Sequence, residues 1–388
     1  MKRRSFVAML AGAVPGGTAL AMSTPWMRMR NRGFAYLVNR QSKDGAWRSN
    51  VYGSFKTGEG LTPLVANACW SHLQPKMRDA TVQWLQAMDA KTWALFPVHN
   101  AGWLLSLAKR EKRLEEFVPV LAGHLRGLQF SSERGWKEGE FYHGGWSYAG
   151  LPVVNEVGRK LAAMQEPNLS ATVLAVAGLR HAGVAEDNPV LAQAVRFISS
   201  CQNLRAKDRG KFDDGGFFQM ANDISRNKAG VAGLDASGRK RFRSYYSATA
   251  DGLRGFLMCG VKITDPRVVA ARSWMERNPA MDDVPDLTFY ANFARAQAGN
   301  RWSQDDLSPS PHPLVRQLGP RPTDRPPRIT MRKPGFYPNA VPGTFPSDNS
   351  LGQEEDGSYC NPAGEMREND PLVATALMMM ASGLRGRR

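Results

Sequence analysis

The chain alternates between two kinds of apolar segment. In the first kind, apolar residues recur every three or four positions with polar residues between them, a spacing typical of helices with one wet face. Five segments have this pattern: MRNRGFAYLVNRQ, TVQWLQAM, EEFVPVLAGHLRGLQF, NPVLAQAVRFISSCQ and DPRVVAARSWMERN. We expect them to form half-wetted outer helices.

Segments of the second kind are apolar on nearly all sides and rich in Ala and Gly. This composition favours helices that are buried on most sides and approach one another closely. There are six: GEGLTPLVANACWSHL, FPVHNAGWLLSLAK, LSATVLAVAGLRHAGV, SYYSATADGLRGFLMCGV, PDLTFYANFARAQAG and DPLVATALMMMASGL. Helix starts are marked by a cap residue before proline at Asn188-Pro189, Asp265-Pro266 and Asp370-Pro371.

Outer and inner segments in alternation predict an all-α fold, an (α/α)6 toroid. Its sixth outer helix would fall within residues 305–352, where eleven prolines stand between Pro309 and Pro346. Such a stretch cannot form a long helix. A short helix around Leu314 to Leu318, a proline-rich wrap that replaces the helix, and a flexible linker between domains are the three interpretations.

Four turns share one pattern: a Gln after an outer segment, then a glycine and an aromatic residue. They are QSKDGAWRSN from Gln41, LQFSSERGWKEGEFYHGGW from Leu128, CQNLRAKDRGKFDDGGFF from Cys201 and QEEDGSYCNP from Gln353. Glycine supplies a positive φ that stops a helix, and the ring packs back on the helix end, where the Gln amide bonds free backbone groups. We expect Trp47 and Trp136 to be buried at these rim turns. The first and last turns match because a closed ring has neighbouring ends.

The first residues, MKRRSFVAMLAGAVPGGTALAMS, resemble a twin-arginine export signal. Arg3 and Arg4 precede a short, weakly apolar stretch, and ALA at Ala19 to Ala21 offers a cleavage site. The sequence therefore predicts a signal over residues 1–21, a toroid over 22–388 and a periplasmic or other extracytoplasmic location. A frayed basic tail is the alternative.

The composition also gives the chain a large positive net charge. The 388 residues are 42% hydrophobic and 22% charged, as in an ordinary soluble protein, but the net charge is +16. An anionic membrane or envelope surface would suit such a chain, and a basic surface without a partner is the alternative. Nucleic acid is not expected, because zinc-finger spacing, RNA-binding aromatic signatures and a basic zipper are absent. The scattered Cys and His residues favour isolated buried thiols and predict neither a metal nor a cofactor; disulfides of an exported protein are the alternative, with three possible pairings.

The Gln-x-x-Asp-Gly-x-Trp turns resemble the QW repeats of the squalene cyclase and protein prenyltransferase β-subunit superfamily. The segments around LSATVLAVAGLRHAGV and SYYSATADGL are similar to exported bacterial prenyltransferase and squalene oxidase repeat proteins. The resemblance implies a toroid with a central cavity for isoprenoids. The D-x-D-D motif of the cyclases is absent, and so is the D-x-C of the zinc-dependent prenyltransferases.

Candidate site residues follow from this resemblance and from their positions. Asp213, Asp214 and Asp251 are the acids to test, although Asp251 could equally bond a helix end or an arginine. Aromatic rings on or just before inner helices are expected to enclose an isoprenoid, unless they pack helix contacts: Trp146, Tyr148, Phe217, Phe218, Tyr245, Tyr246, Phe289 and Tyr290. Four basic residues, Arg239, Lys240, Arg241 and Arg243, are expected to clamp a diphosphate or to form a solvated loop.

These observations predict a terpene cyclase- or prenyltransferase-like repeat protein that binds an isoprenoid or another long apolar ligand. Whether it catalyses a reaction stays open, because the motifs of both known chemistries are missing. The alternative is a non-catalytic exported scaffold whose toroid is filled by its own side chains.

Overall fold

The structure is a computed structural model, and it describes eight stretches of the chain. These are residues 25–89, 96–156, 161–204, 210–220, 227–278, 287–302, 352–362 and 367–383. The expected export signal over residues 1–21 lies outside the described residues. So does the proline-rich stretch except for its last residue, and with it the short helix expected around Leu314 to Leu318.

Helices make up most of the described chain, in agreement with the all-α prediction. Within those stretches the α-helices are α1 (Pro25–Asn39), α2 (Thr62–Cys69), α3 (Pro75–Gln86), α4 (Val98–Ala108), α5 (Val118–Gly127), α6 (Leu169–His181), α7 (Pro189–Ser200), α8 (Tyr246–Met258), α9 (Pro266–Arg277), α10 (Thr288–Trp302) and α11 (Pro371–Gly383). Short 3-10 helices are Gly53–Phe55, Trp70–His72, Lys112–Phe117, Ser132–Arg134 and Ala163–Gln165. None of the described helices combines the length and apolarity needed to cross a membrane.

The predicted helix starts are confirmed by their caps. The Asn188 side chain accepts a hydrogen bond from the backbone N–H of Val190, and Asp265 accepts one from Arg267. Asp370 likewise accepts from the N–H of Leu372 at 2.9 Å. In each case a proline follows the cap, because its fixed φ suits the first helical position and its missing N–H leaves no orphan donor there.

One small sheet interrupts the helices, and the sequence had not predicted it. Strands β1 (Val231–Leu234) and β2 (Lys240–Phe242) pair antiparallel, with Val231 opposite Phe242 and a bulge between Val231 and Gly233. At three and four residues these strands are too short to show an alternating pattern. They form a hairpin that leads into α8.

Six helices pack in a closed cycle. Helix α2 packs against α4, α4 against α6, α6 against α8, α8 against α10 and α10 against α11. Helix α11 then packs back against α2. All six come from the segments that the sequence marks as apolar on all sides, and we call them the cycle helices.

The other five helices, which we call the flanking helices, are less completely buried than the cycle helices. Helix α5 contacts α4 and α6, α7 contacts α6 and α8, and α1 contacts α11 and α2. In α7 the buried residues are Leu191, Ala194, Phe197 and Ile198, which lie on one face of the helix. In the cycle helix α8, by contrast, every residue except Leu257 is buried. The two kinds of apolar segment therefore correspond to two environments.

Small residues let cycle helices approach closely. A Cβ atom built on Gly178 of α6 would lie 2.9 Å from the Cα of Gly102 on α4. One built on Gly102 would lie 2.9 Å from the carbonyl oxygen of Leu174. Since neither position has room for a methyl group, glycine sets the distance between these two helices.

The four turns repeat one set of contacts. Each unit consists of a Gln, a Gly, an aromatic residue and a Thr on the next cycle helix. The four units are Gln41, Gly45, Trp47 and Thr62; Gln129, Gly144, Trp146 and Thr172; Gln202, Gly215, Phe217 and Thr249; Gln353, Gly357, Tyr359 and Thr375.

In every unit the Gln amide joins two segments. Its Nε2 donates to the carbonyl of the turn glycine and to a carbonyl near the start of the following flanking helix, at 2.8–3.1 Å. The second acceptors are Met77 in α3, Val190 in α7, Arg267 in α9 and Met29 in α1. The expectation that the amide bonds its own helix end is wrong, because it reaches the next flanking helix. The last unit reaches α1, so it joins the two ends of the chain.

The aromatic residue anchors each turn to the cycle. Its backbone N–H donates to the Thr Oγ1 at 2.9–3.0 Å. The indoles of Trp47 and Trp146 also donate to the carbonyls of Leu37 and Leu125, four residues before the Gln. These are carbonyls of a helix end, so the ring position takes over the capping that we had expected of the amide.

Trp47 and Trp136 are both buried, but only Trp47 has the repeat position. Trp136 lies with Phe130, Val153 and Leu161 in a small separate core and donates its indole N–H to the Val153 carbonyl at 2.9 Å. Phe130 and Trp136 lie within the long second turn, between Gln129 and Gly144, whereas Val153 and Leu161 come after the repeat aromatic Trp146. Trp146 therefore takes the place that we had expected Trp136 to hold.

The turn glycine is required both for its positive φ and for its close contact with the next flanking helix. Two variants distinguish these effects. Gly144 has φ +86°, and a Cβ there would lie 2.2 Å from the Gln193 carbonyl oxygen of α7. Gly183 has φ +85° with nothing within 4 Å. We expect Gly183→Ala to cost about 1 kcal/mol of unfolding free energy through φ strain alone, and Gly144→Ala about 2 kcal/mol more through the contact. Urea unfolding measures both, and equal losses would show that α7 does not press on the turn.

Candidate functional site

Asp251 lies at the meeting point of three cycle helices. It is fully buried in α8. Its Oδ2 accepts hydrogen bonds from the Ser170 hydroxyl of α6 and the Tyr290 hydroxyl of α10, both at 2.8 Å. Its Oδ1 accepts from Arg254, one turn further along α8, at 2.8 Å. Since these donors come from α6, α8 and α10, the carboxylate ties three helices together.

Arg254 completes a neutral pair with Asp251. Its side chain is only 4% exposed, and its Nη2 also donates to the Tyr290 hydroxyl at 3.3 Å. The guanidinium lies over the ring of Phe293, 5.0 Å from the centroid. A buried charge is tolerated when it is paired and hydrogen-bonded, and both conditions hold here. The side chain of Asp251 accepts all of its hydrogen bonds, from Ser170, Tyr290 and Arg254.

A second layer of neutral polar groups surrounds this pair. The Gln219 amide donates to Asn168 Oδ1 at 3.0 Å and to the Ser170 hydroxyl at 3.3 Å. Its carbonyl oxygen accepts from the Tyr245 hydroxyl at 3.3 Å. Burial, followed by the nearby Asp251 charge, raises the pKa of both Tyr245 and Tyr290 well above 10. These phenols are therefore neutral donors at any physiological pH.

Two polar atoms beside this cluster are buried without hydrogen bonds. They are the Tyr148 hydroxyl and the His99 Nδ1, and the two rings meet edge to face with centroids 6.0 Å apart. Tyr148 is near Asp251 and Ser170, and burial raises the pKa of its hydroxyl. Burial, with the Arg367 charge as a smaller cause, lowers the pKa of His99 to about 4. The Ser170 hydroxyl partly offsets the rise in the pKa of Tyr148, and a buried polar atom without a geometrically good hydrogen bond costs free energy.

An aromatic contact crosses the centre of the cycle. Trp103 of α4 meets Phe293 of α10 edge to face at 5.5 Å. In the cycle these two helices are three steps apart in either direction, so they stand opposite each other. His99 lies one turn before Trp103 on the same face of α4. We call this contact the floor; His99 precedes it on α4, towards the start of that helix.

Asp213 and Asp214 lie apart from this cluster, in the turn before α8. Asp213 pairs with Arg241 at 2.9 Å and accepts the backbone N–H of Gly210. Asp214 accepts from the Ser244 hydroxyl, the Gly216 N–H and the Trp274 indole. Burial raises the pKa of Asp214, and these donors partly offset that rise. Among the described residues the two acids share no partner with Asp251, and their contacts hold the turn and the hairpin together.

The predicted aromatic pocket divides into two groups. Tyr148, Tyr245 and Tyr290 come together around Asp251. The others pack elsewhere: Trp146 and Phe217 are the repeat aromatics, Phe218 packs on Phe242, Phe289 packs on Tyr359, and Tyr246 is buried at the start of α8. Only the tyrosine group thus surrounds one polar centre.

The predicted diphosphate clamp lies on the hairpin. Arg239 and Lys240 are exposed, Arg241 is engaged by Asp213, and Arg243 donates to the Val231 carbonyl at 3.3 Å. The four residues are close in sequence, but their side chains do not converge on one site. Two of the four, Arg239 and Lys240, face solvent.

Several central residues were missed by sequence reasoning. Ser170, His99 and Gln219 carry no motif, and nothing in their spacing relates them to Asp251. Arg254 had a signal, because its position three residues after Asp251 places both on one helix face.

All four cysteines lie within the described residues as free thiols; Cys69, Cys201 and Cys259 are buried and Cys360 is partly exposed. In the part of the chain that the structure describes, no group of three His, Cys, Asp or Glu side chains is arranged to hold a metal ion. No protein-family model matches the chain, and a search of curated proteins finds no significant match.

The Asp251–Arg254 pair should be strongly structural. In Asp251→Asn the buried guanidinium loses its counter-charge, so we expect a loss of about 3–5 kcal/mol in unfolding free energy. Asp44→Asn is the matched control, because it breaks the largely exposed pair with Arg48 and should cost below about 1 kcal/mol. The double variant Asp251→Asn, Arg254→Met should recover part of the loss. A single-variant cost as small as that of Asp44→Asn in urea unfolding would contradict the structural role.

His99 should make stability depend on pH. Its pKa falls from 6.5 to about 4 on folding, so the unfolded chain binds the proton more tightly. The contribution of neutral His99 is therefore complete above pH 6.5 and is lost as pH falls towards 4. Between these values we expect the wild type to lose up to about 3 kcal/mol more than His99→Phe. Urea unfolding of both proteins at pH 7, 5.5 and 4.5 measures the difference, and parallel pH profiles would contradict it.

Proposed function

We propose that this chain is an (α/α)6 toroid that binds an isoprenoid or another long apolar ligand at its centre. The closed cycle of six helices supports the toroid, since a ring needs the last inner helix to return to the first. The order of the chain supports it too. Among the described helices, a flanking helix precedes every cycle helix except α11, and the undescribed residues 303–351 stand in that place in the sequence.

The repeated turns support the likeness to squalene cyclases and prenyltransferases. Four units place a Gln, a positive-φ glycine, an aromatic residue and a Thr in the same relation. The fourth unit bonds α1, as the matching first and last turns lead one to expect of a ring. A shared architecture leaves the chemistry open, so the function must come from the centre.

The observation that carries ligand binding is the pair of orphan polar atoms at the centre. They are the Tyr148 hydroxyl and His99 Nδ1; the two rings are in contact, and His99 lies one turn before Trp103 on α4. Aromatic rings with a few convergent polar groups are typical of sites for small, largely apolar molecules. We call this space the cup, bounded by His99, Trp103, Tyr148, Tyr290 and Phe293.

The residues of the cup are better suited to binding a ligand than to protonating it. Asp251 only accepts hydrogen bonds and is neutralised by Arg254, whereas protonating a polyene requires an acid that can release its proton. The expected twin-arginine signal makes an extracytoplasmic location part of the same proposal. The charge of +16 makes an anionic membrane or envelope surface a suitable neighbour.

One observation favours the alternative, a non-catalytic scaffold. The Trp103–Phe293 contact spans opposite helices, so side chains of the chain itself fill the centre at that level. Trp146, Phe218, Tyr245 and Tyr290 are all at most 6% exposed. A toroid filled along its whole axis would hold no ligand and would serve only as a rigid exported body.

Native mass spectrometry distinguishes a ligand-binding toroid from a filled scaffold. We expect the protein purified from its own host to carry one lipid per chain, or the purified chain to bind squalene at that stoichiometry. His99→Trp should abolish binding by filling the cup, while Leu151→Ser should leave it unchanged, because Leu151 is a 60%-exposed surface residue. Binding that is lost in Leu151→Ser and kept in His99→Trp would assign the lipid to the surface. Absence of any bound lipid would favour the scaffold.

A further inference from the structure

The polar end of the ligand would lie beside the two orphan atoms of the cup, if the proposed function holds. We propose that this end is a hydroxyl group, held between the Tyr148 hydroxyl and the His99 Nδ1, and that the ligand is an uncharged isoprenoid alcohol rather than a prenyl diphosphate.

The hydrogen-bonding capacity of the two orphan atoms fits a hydroxyl. A phenol can donate one hydrogen bond, and a neutral imidazole nitrogen either accepts or donates according to its tautomer. A ligand hydroxyl both donates and accepts, so it satisfies the pair in either tautomer. The two rings are in edge-to-face contact, with centroids 6.0 Å apart, so both polar atoms belong to one small region.

The charges of the cup also favour an uncharged ligand. Arg254 is already neutralised by Asp251, with its Nη2 2.8 Å from Oδ1. Burial keeps His99 neutral above about pH 4, since that is where its pKa lies. Tyr148, Tyr245 and Tyr290 stay protonated because burial raises the pKa of each. A diphosphate here would bring at least two negative charges beside the Asp251 carboxylate without a free counter-charge from these groups.

One cation of the described chain does act on His99, and it is already engaged. The Arg367 guanidinium lies over the rings of Tyr52 and Phe55, at 5.1 and 4.8 Å, and donates to the Ser54 hydroxyl at 3.0 Å. Its side chain thus packs on the loop before α2. A diphosphate would have to draw it away from both rings.

The test compares three ligands with the same fifteen-carbon chain. Farnesol, farnesene and farnesyl diphosphate are each titrated into the purified full chain, with binding followed by native mass spectrometry. We expect farnesol to bind most tightly. Tyr148→Phe should weaken farnesol about fivefold, the worth of one neutral hydrogen bond, and leave farnesene unchanged. Tyr142→Phe is the matched control, because the Tyr142 hydroxyl bonds Glu166 outside the cup, and it should change neither.

The other outcomes overturn the inference in distinguishable ways. Tighter binding of farnesyl diphosphate than of farnesol would mean an anionic head group, and ligand binding at the centre would stand. Equal binding of farnesol and farnesene, unaffected by Tyr148→Phe, would mean that the hydroxyl site does not exist. If none of the three binds, the orphan atoms hold only water and the proposed cup fails together with this inference.

Discussion

The hydrogen bond from the Gln353 amide to the Met29 carbonyl joins residues 324 positions apart in the chain. The closed packing of the cycle helices goes with this contact, since α11 can lie against both α1 and α2 only if the two ends meet. The same amide donates to the Gly357 carbonyl at 2.9 Å, so both of its hydrogens take part in hydrogen bonds. Glu could not replace this Gln, because a carboxylate has no hydrogens to donate. Three further copies of the amide bridge join flanking helices along the chain.

The centre follows from this closure. Once the inner faces of six apolar helices converge, polar groups among them lose water and must satisfy one another. Asp251, Arg254, Ser170 and Tyr290 do so, and they link α6, α8 and α10 with directional bonds where apolar contacts alone would permit sliding. Trp103 and Phe293 meet across the axis and divide it. This contact therefore fills the centre of the cycle at the level of the two rings.

The candidate site was only partly accessible to sequence reasoning. Asp251 was selected as an acid that could face the centre, with an arginine as an alternative partner, and Arg254 three residues later is that partner. Ser170 is 81 positions from Asp251 and Tyr290 is 39, distances over which no local spacing rule applies. Asp213 and Asp214 drew attention as adjacent acids. Their partners are Arg241, Ser244 and Trp274, so they stabilise a turn instead of sharing a proton.

Local interactions determined most of the helix positions and the repeated turns, independently of tertiary contacts. Apolar spacing separated flanking from cycle helices, a capping side chain before proline set helix starts, and glycine with an aromatic residue marked the repeated turns. Those features depend on φ, on orphan N–H groups and on helix periodicity, all of which act within a few residues. Tertiary structure alone decided that the Gln amide reaches the next helix, that Trp146 rather than Trp136 holds the second turn, and that His99 and Tyr148 meet without partners. The reason is that such meetings depend on the register between helices far apart in sequence, which is set only when close packing and ring closure act together.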